Sequence, residues 1–138
     1  MDRVFVDTDI IIDLFAEREP FYRFSAGLFT LIDSGTVKGH VSPVTVTNLH
    51  YILSRLLDRV RAYKSLQKLT ALVTVLPVDE KTIDLALSSD FRDFEDAVQY
   101  YTALQNRMKC LITRNVNDYR LADIPVMTAE EYLSIFKS

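Results

Sequence analysis

The sequence predicts an α/β domain: a sheet of five parallel strands with helices packed on both faces, a three-layer α/β/α sandwich. Two observations carry this. Short runs rich in Val, Ile and Phe alternate along the chain with longer segments whose apolar residues recur every three or four positions. Strands separated by helices pair in parallel through crossovers, and not as hairpins. In addition, only seven of the 138 residues are Gly or Pro, about 5% against roughly 12% in average proteins, which leaves little material for long loops. The length fits a single domain over residues 1–138. A composition of 49% hydrophobic and 25% charged residues is that of a chain with a real core.

The elements follow in order. Val4-Phe5-Val6 is a strand ending at Asp7, and Ile10, Ile11, Ile12, Leu14 and Phe15 form a short helix. Pro20 opens a helix carrying Phe21, Phe24, Leu28, Leu31 and Ile32 on one face, and Gly35 closes it. Val37 to Val41 is the second strand. Ser42-Pro43 then sets an N-cap before a proline at the first helical position, starting a long helix through Leu49, Ile52, Leu53, Leu56 and Leu57. After the charged corner Asp58-Arg59-Val60-Arg61 comes a helix around Leu66, Leu69 and Leu72. Val73 to Val78 is the third strand, and Pro77 within it cannot donate to a ladder, which places the strand at a sheet edge.

Asp79 caps a short helix through Ile83, Ala86 and Leu87, and Asp93 caps a longer one through Phe94, Ala97, Val98, Tyr101, Leu104 and Met108. Cys110 to Thr113 is the fourth strand, Arg114 to Asp118 a polar loop, and Ile124 to Met127 the fifth strand. Thr128 and Glu131 form a capping box before the last helix.

Composition narrows the function classes. One cysteine, Cys110, makes no internal disulfide, and His40 and His50 alone make no Cys/His zinc cluster. Cys110 reads as a buried small residue, and both histidines as structural. No apolar run approaches a membrane span of roughly 18 residues, and Met1-Asp2-Arg3 leads into a strand without a signal-peptide layout, so the expected location is the cytoplasm. A net charge of −3 excludes a general nucleic-acid coat protein but not an enzyme acting on nucleic acid.

Open parallel sheets bind ligands beyond the carboxyl ends of their strands, where the winding direction reverses. Asp7 ends the first strand, Asp118 follows the fourth, and Asp96 lies in the first turn of a helix that starts at the same edge. Asn48 lies in the second turn of another. Singly each acid has a bland role, since Asp caps helices and forms turns. Together they repel one another, and unless their pKa values rise enough to hold protons, a hard cation such as Mg²⁺ or Mn²⁺ must neutralise the set, bound with water and substrate phosphate. The chemistry this favours is metal-assisted phosphodiester hydrolysis. Asp9 either faces the site or caps the short helix, the cap being the expected role, and Asp13 belongs to a solvated face. The Tyr100-Tyr101 pair fits core packing.

Val-Phe-Val-Asp-Thr-Asp at 4–9, Asp-Phe-Glu-Asp-Ala at 93–97, Ile-Thr-Arg-Asn-Val-Asn-Asp-Tyr at 112–119 and the segment at 124–133 together resemble the PIN domain family, nearly end to end. The resemblance implies a Mg²⁺- or Mn²⁺-dependent ribonuclease. Bacterial members of the VapC type are often toxins held by an antitoxin. Asp7 matches the family's first acid and Asp96 the one opening its central helix. Asn48 falls where the family usually has Glu, so Asn48→Glu is expected to tighten metal binding if that position faces the cleft. Asn115 falls where the last acid is usual, so either Asp118 serves in its place or Asn115 acts as a neutral ligand. The implied partners are an RNA substrate, an antitoxin and a second copy of the chain. Arg55, Arg59 and Arg61, with Lys64 and Lys68, are candidate RNA contacts, or a solvated helical face. Two other readings stand beside this one. One is a catalytically weakened PIN-like module that binds RNA or protein. The other is a haloacid-dehalogenase-like phosphatase, because Asp7-Thr8-Asp9 also resembles that family's nucleophile motif.

Overall fold

A computed structural model describes residues 1–137. Its strands are β1 (Asp2–Val6), β2 (Val37–Val41), β3 (Thr74–Val75), β4 (Cys110–Ile112) and β5 (Val126–Met127). The helices are α1 (Thr8–Phe15), α2 (Tyr22–Asp33), α3 (Pro43–Leu56), α4 (Arg59–Leu72), α5 (Glu80–Leu87), α6 (Phe94–Gln105) and α7 (Ala129–Lys137). All strands pair in parallel in the order β3-β2-β1-β4-β5. The first three strands build outward from β1 in one direction and the last two in the other. The reversal therefore falls between β1 and β4, where Val4 pairs with Cys110 and Val6 with Ile112.

Strand alternation divides the core between the two faces. Val4, Val6, Cys110 and Ile112 pack with Leu28, Leu49, Leu53, Leu66, Leu69 and Tyr132 on one side. Phe5 and Leu111 pack with Tyr100, Ala103, Met108 and Tyr119 on the other. Tyr100 is buried there as packing predicts. Cys110 is buried too, its thiol pushed up to about 12 by desolvation, which leaves it unreactive. His40 is buried against the Val4 carbonyl, and burial holds its pKa below the usual value.

Local signals explain the boundaries. The Ser42 hydroxyl accepts from Thr45 N–H with Pro43 at the first helical position, and Asp58, Asp79 and Asp93 each accept from a backbone N–H three residues on. Gly35, at φ +80°, takes the left-handed position after α2. Its N–H donates to Ile32 and that of Thr36 to Leu31, the paired bonds of a Schellman motif. α2 itself starts at Tyr22, two residues beyond Pro20, and no side chain caps it.

The third strand is shorter than its apolar run. Val73 closes α4 by donating to Leu69, Thr74 and Val75 pair with β2, and the Leu76 N–H donates to Val41 as the last rung. Pro77 follows and has no N–H to offer, so it ends the ladder at the sheet edge and does not sit within it. β5 likewise keeps only Val126 and Met127 of the expected four residues.

Asp13 is not on a solvated face. Its side chain is fully buried and takes a forked ion pair from Arg114, at 2.6 Å from Nε and 3.1 Å from Nη2. Desolvation raises its pKa and the guanidinium opposes that rise. The same guanidinium lies 4.1 Å over the Phe21 ring. One cation thus ties α1, the entrance to α2 and the segment after β4. Arg114→Ala should leave Asp13 buried without a counter-charge and destabilise the fold by about 3 kcal/mol. Urea unfolding of the two proteins measures this, and an unchanged midpoint would show that the pair contributes nothing.

Candidate active site

The site grows from the carboxyl end of β1. Asp7 leaves the strand with its N–H on the Ile112 carbonyl, which locks it beside the end of β4. Its Oδ1 accepts from the Thr8 N–H, so Asp7, and not Asp9, is the N-cap of α1. Its Oδ2 accepts from the Thr113 hydroxyl at 2.9 Å and from the Tyr119 hydroxyl at 3.1 Å. Only 8% of Asp7 is exposed. Burial pushes its pKa up, and the hydrogen bonds pull the other way.

Freed from capping, Asp9 turns into the site. Its Oδ2 accepts from Thr113 Oγ1, the Arg114 N–H and Asn115 Nδ2 at 3.0 to 3.2 Å. Desolvation and the neighbouring Asp7 charge raise its pKa to about 6. Asp96 lies across from it, with Oδ1 3.3 Å from the Tyr119 hydroxyl and a pKa raised to about 7 by desolvation and the charges of Asp93, Asp7 and Asp118. Each hydroxyl owns one proton and faces two carboxylates, Thr113 between Asp7 and Asp9, Tyr119 between Asp7 and Asp96. The three acids are therefore under-supplied with donors.

Two helices wall the cleft. The N-cap hydroxyl of Ser42 donates to Gln99 Oε1, and Gln99 Nε2 donates to the Thr45 hydroxyl, all three residues being buried. This fixes the start of α3 against the second turn of α6, and so sets Asn48 opposite Glu95 and Asp96. Asn48 Nδ2 donates to Glu95 Oε1 at 3.0 Å. Asp7, Asp9, Asn48, Tyr51, Glu95, Asp96, Gln99 and Asn115 line a common cavity of about 400 Å³.

Asp118 is placed differently from its expected convergence with Asp7. Residues 116–119 form a 3-10 turn that sends Tyr119 inward and leaves Asp118 exposed. It lines a neighbouring cavity with Asp93, Arg92 and Arg120, and Asp96 borders both cavities. Asn115 is the member of that loop in the main cleft. Arg55, Arg59 and Arg61 are exposed on α3 and α4, with Arg55 over the Tyr51 ring and Arg59 over that of Tyr63. Thr113, Tyr119, Gln99 and Glu95 were not singled out from the sequence. Thr113 and Tyr119 belong to a motif already noted, but their inward direction is set only by the turn.

Among the described residues no three acidic, His or Cys side chains close on one point tightly enough to cage an ion. The donor set instead fits a hydrated divalent cation. It is all oxygen, it carries an excess of negative charge, and Asp9 Oδ1 is buried with no hydrogen-bond partner. Mg²⁺ and Mn²⁺ suit such a set, and Mg²⁺ in particular keeps several waters and takes one or two carboxylates together with substrate phosphate.

The raised pKa values give a sign for pH dependence without metal. Native Asp9 and Asp96 hold protons up to about pH 6 and 7, while the unfolded chain releases them near pH 4. The native state thus binds more protons between those limits, and stability falls as pH rises through them. Metal-free protein should melt at a higher temperature at pH 5 than at pH 8, and saturating Mn²⁺ should shrink the difference. A metal-free melting temperature that rises from pH 5 to pH 8 would contradict this account of the cleft.

The sequence profile of the PIN domain matches residues 3–117. A ribonuclease VapC1 from Aquifex aeolicus (strain VF5) is 26% identical over 136 residues, covering 95% of this chain and 93% of that protein. The fold is similar to that of DNA-bound VapBC from Salmonella typhimurium, with a TM-score of 0.72 at 16% identity over 94% of this chain and 99% of that one. It is also similar to Mycobacterium tuberculosis VapC20, a sarcin-ricin loop cleaving toxin, with a TM-score of 0.65 at 17% identity over 78% and 86% of the two chains. The profile match includes Asp7-Thr8-Asp9, Asp96 and the Thr113 to Asn117 loop, so the aspartate motif is not that of a dehalogenase-like phosphatase, and the chain belongs to the PIN domain family.

Proposed function

We propose that this protein is a Mg²⁺- or Mn²⁺-dependent endoribonuclease that hydrolyses RNA phosphodiester bonds, and that it acts as the toxin of a toxin–antitoxin pair. The observation that carries this reading is the buried Asp7, oriented by Thr113 and Tyr119 and flanked by Asp9 and Asp96 in an open cleft. A purely binding module needs no such concentration of desolvated charge. The Aquifex relative named a ribonuclease and the likeness in fold to a sarcin-ricin loop cleaving toxin support it.

Asp7, Asp9 and Asp96 would hold the cation, Asn115 would contribute a neutral contact, and Asp118 adds charge near Asp96. When bound, the metal lowers the pKa of a water and stabilises negative charge on the phosphate. Thr113 and Tyr119 keep Asp7 in one orientation, and Gln99 keeps the two cleft helices at a fixed separation. RNA approaches over Arg55, Arg59 and Arg61. The exposed apolar residues Leu56, Val60 and Tyr63 offer a surface for pairing with a second copy of the chain, and an antitoxin is the expected protein inhibitor.

Purified protein incubated with an RNA panel and Mg²⁺ or Mn²⁺ should cleave. Asp7→Asn should lower the rate by at least about 100-fold and leave the metal-free fold intact, since it removes one charge from a repulsive set. Equal cleavage by both proteins would place the activity elsewhere. RNA affinity should also fall with added salt. Neutralising Arg55 and Arg59 should flatten the log–log slope by roughly 0.7 for each RNA phosphate that the two arginines neutralise. A slope unchanged in that variant would assign both residues to a solvated surface.

A further inference from the structure

We infer that Glu95, held by the Asn48 amide, contributes the cation-binding carboxylate on the α3 side of the cleft, so that this charge comes from α6 although α3 offers only an amide. The inference rests on the proposed metal-dependent activity and goes beyond it in assigning a role to Glu95 and Asn48. Glu95 and Asp96 are consecutive in the first turn of α6. Adjacent helical positions are about 100° apart, so the two carboxylates leave the helix in different directions. Asp96 reaches toward Tyr119 and Asp7, whereas Glu95 reaches toward α3. Both line the cavity that holds Asp7 and Asp9.

The hydrogen bond from Asn48 is a single neutral contact to one oxygen, and no Lys, Arg or His pairs with Glu95 among the described residues. Its charge is therefore not spent on a salt bridge and remains available to the cavity it shares with Asp9, whose Oδ1 has no hydrogen-bond partner. A carboxylate at position 48 would lie directly against Glu95 and repel it. Asn48 avoids that repulsion and orients Glu95 instead, which makes it a positioning residue. For the same reason Asn48→Glu alone gains less than a free fourth carboxylate would, because it adds a charge beside one already present.

Binding of Mn²⁺ to the metal-free full chain, followed by calorimetry and by the loss of the free-ion electron paramagnetic resonance signal, tests this without recourse to activity. Glu95→Gln keeps the acceptor for Asn48 and removes only the charge. It should weaken Mn²⁺ binding about tenfold with little change in melting temperature. The exchange variant Asn48→Glu/Glu95→Gln moves the charge across the same hydrogen bond and should restore affinity to within a few-fold of wild type. Wild-type affinity in Glu95→Gln, or a folded exchange variant that stays weak, overturns the inference. Asp7→Asn separates the two levels of the reading: if it too binds Mn²⁺ like wild type, the cation is not in this cleft and the proposed function itself fails, whereas loss of binding in Asp7→Asn alone removes only the role of Glu95.

Discussion

A carboxylate buried at the end of the central strand is the constraint around which this fold is arranged. Asp7 is nearly without solvent, and an isolated charge there would be expensive, so every oxygen must find a donor. One donor is the first N–H of α1, which requires the chain to turn into a helix directly after the strand. Another is the hydroxyl of Thr113, at the corresponding end of β4, which requires β1 and β4 to be neighbours in register. The third is Tyr119, which requires the segment after β4 to coil into a 3-10 turn and send its aromatic ring back into the core. Strand order, register and loop conformation are thus all visible in the partners of one side chain.

The same corner is held from the other side by Asp13 and Arg114. Arg114 donates its backbone N–H to Asp9 and its guanidinium to Asp13, one helical turn apart on α1. The placement of Asp9 in the cleft and the burial of Asp13 are therefore coupled through one residue. Stacking on Phe21 extends that coupling to the start of α2.

Much of this was legible from the chain. The alternation of elements, the caps Ser42, Asp79 and Asp93, and Gly35 are local signals, and local signals survive into the structure. Asp7 and Asp96 were legible because strand ends and helix starts are local too, and the parallel arrangement puts both at one edge. What was not legible depends on long-range direction. Asp13 sits at a spacing that suits a solvated stripe, and its partner is 101 positions away. Asp9 resembles a cap, but Asp7 already fills that position. Asp118 and Asn115 are one turn of a 3-10 helix apart, and only the inward direction of Tyr119 decides which of them faces the cleft. Pro77 marked the right edge but ended the ladder where a longer strand was expected, because the apolar run around it serves the helix packing as well as the sheet.

The cleft also separates what stabilises it from what it does. Its acids are desolvated and mutually repulsive, and a fold relying on them for stability at neutral pH without a cation would be working against itself. The stabilising contacts nearby are of another kind. The Ser42–Thr45–Gln99 network is neutral and fully buried, and the Asp13–Arg114 pair carries its own compensating charge. Neither adds negative charge to the cavity, yet each fixes an element that bears its acids: α6 for Asp96 and Glu95, α1 for Asp9. The walls are rigid because neutral and paired groups hold them. That rigidity lets an uncompensated set of carboxylates persist at a fixed separation, ready to be neutralised by what binds there.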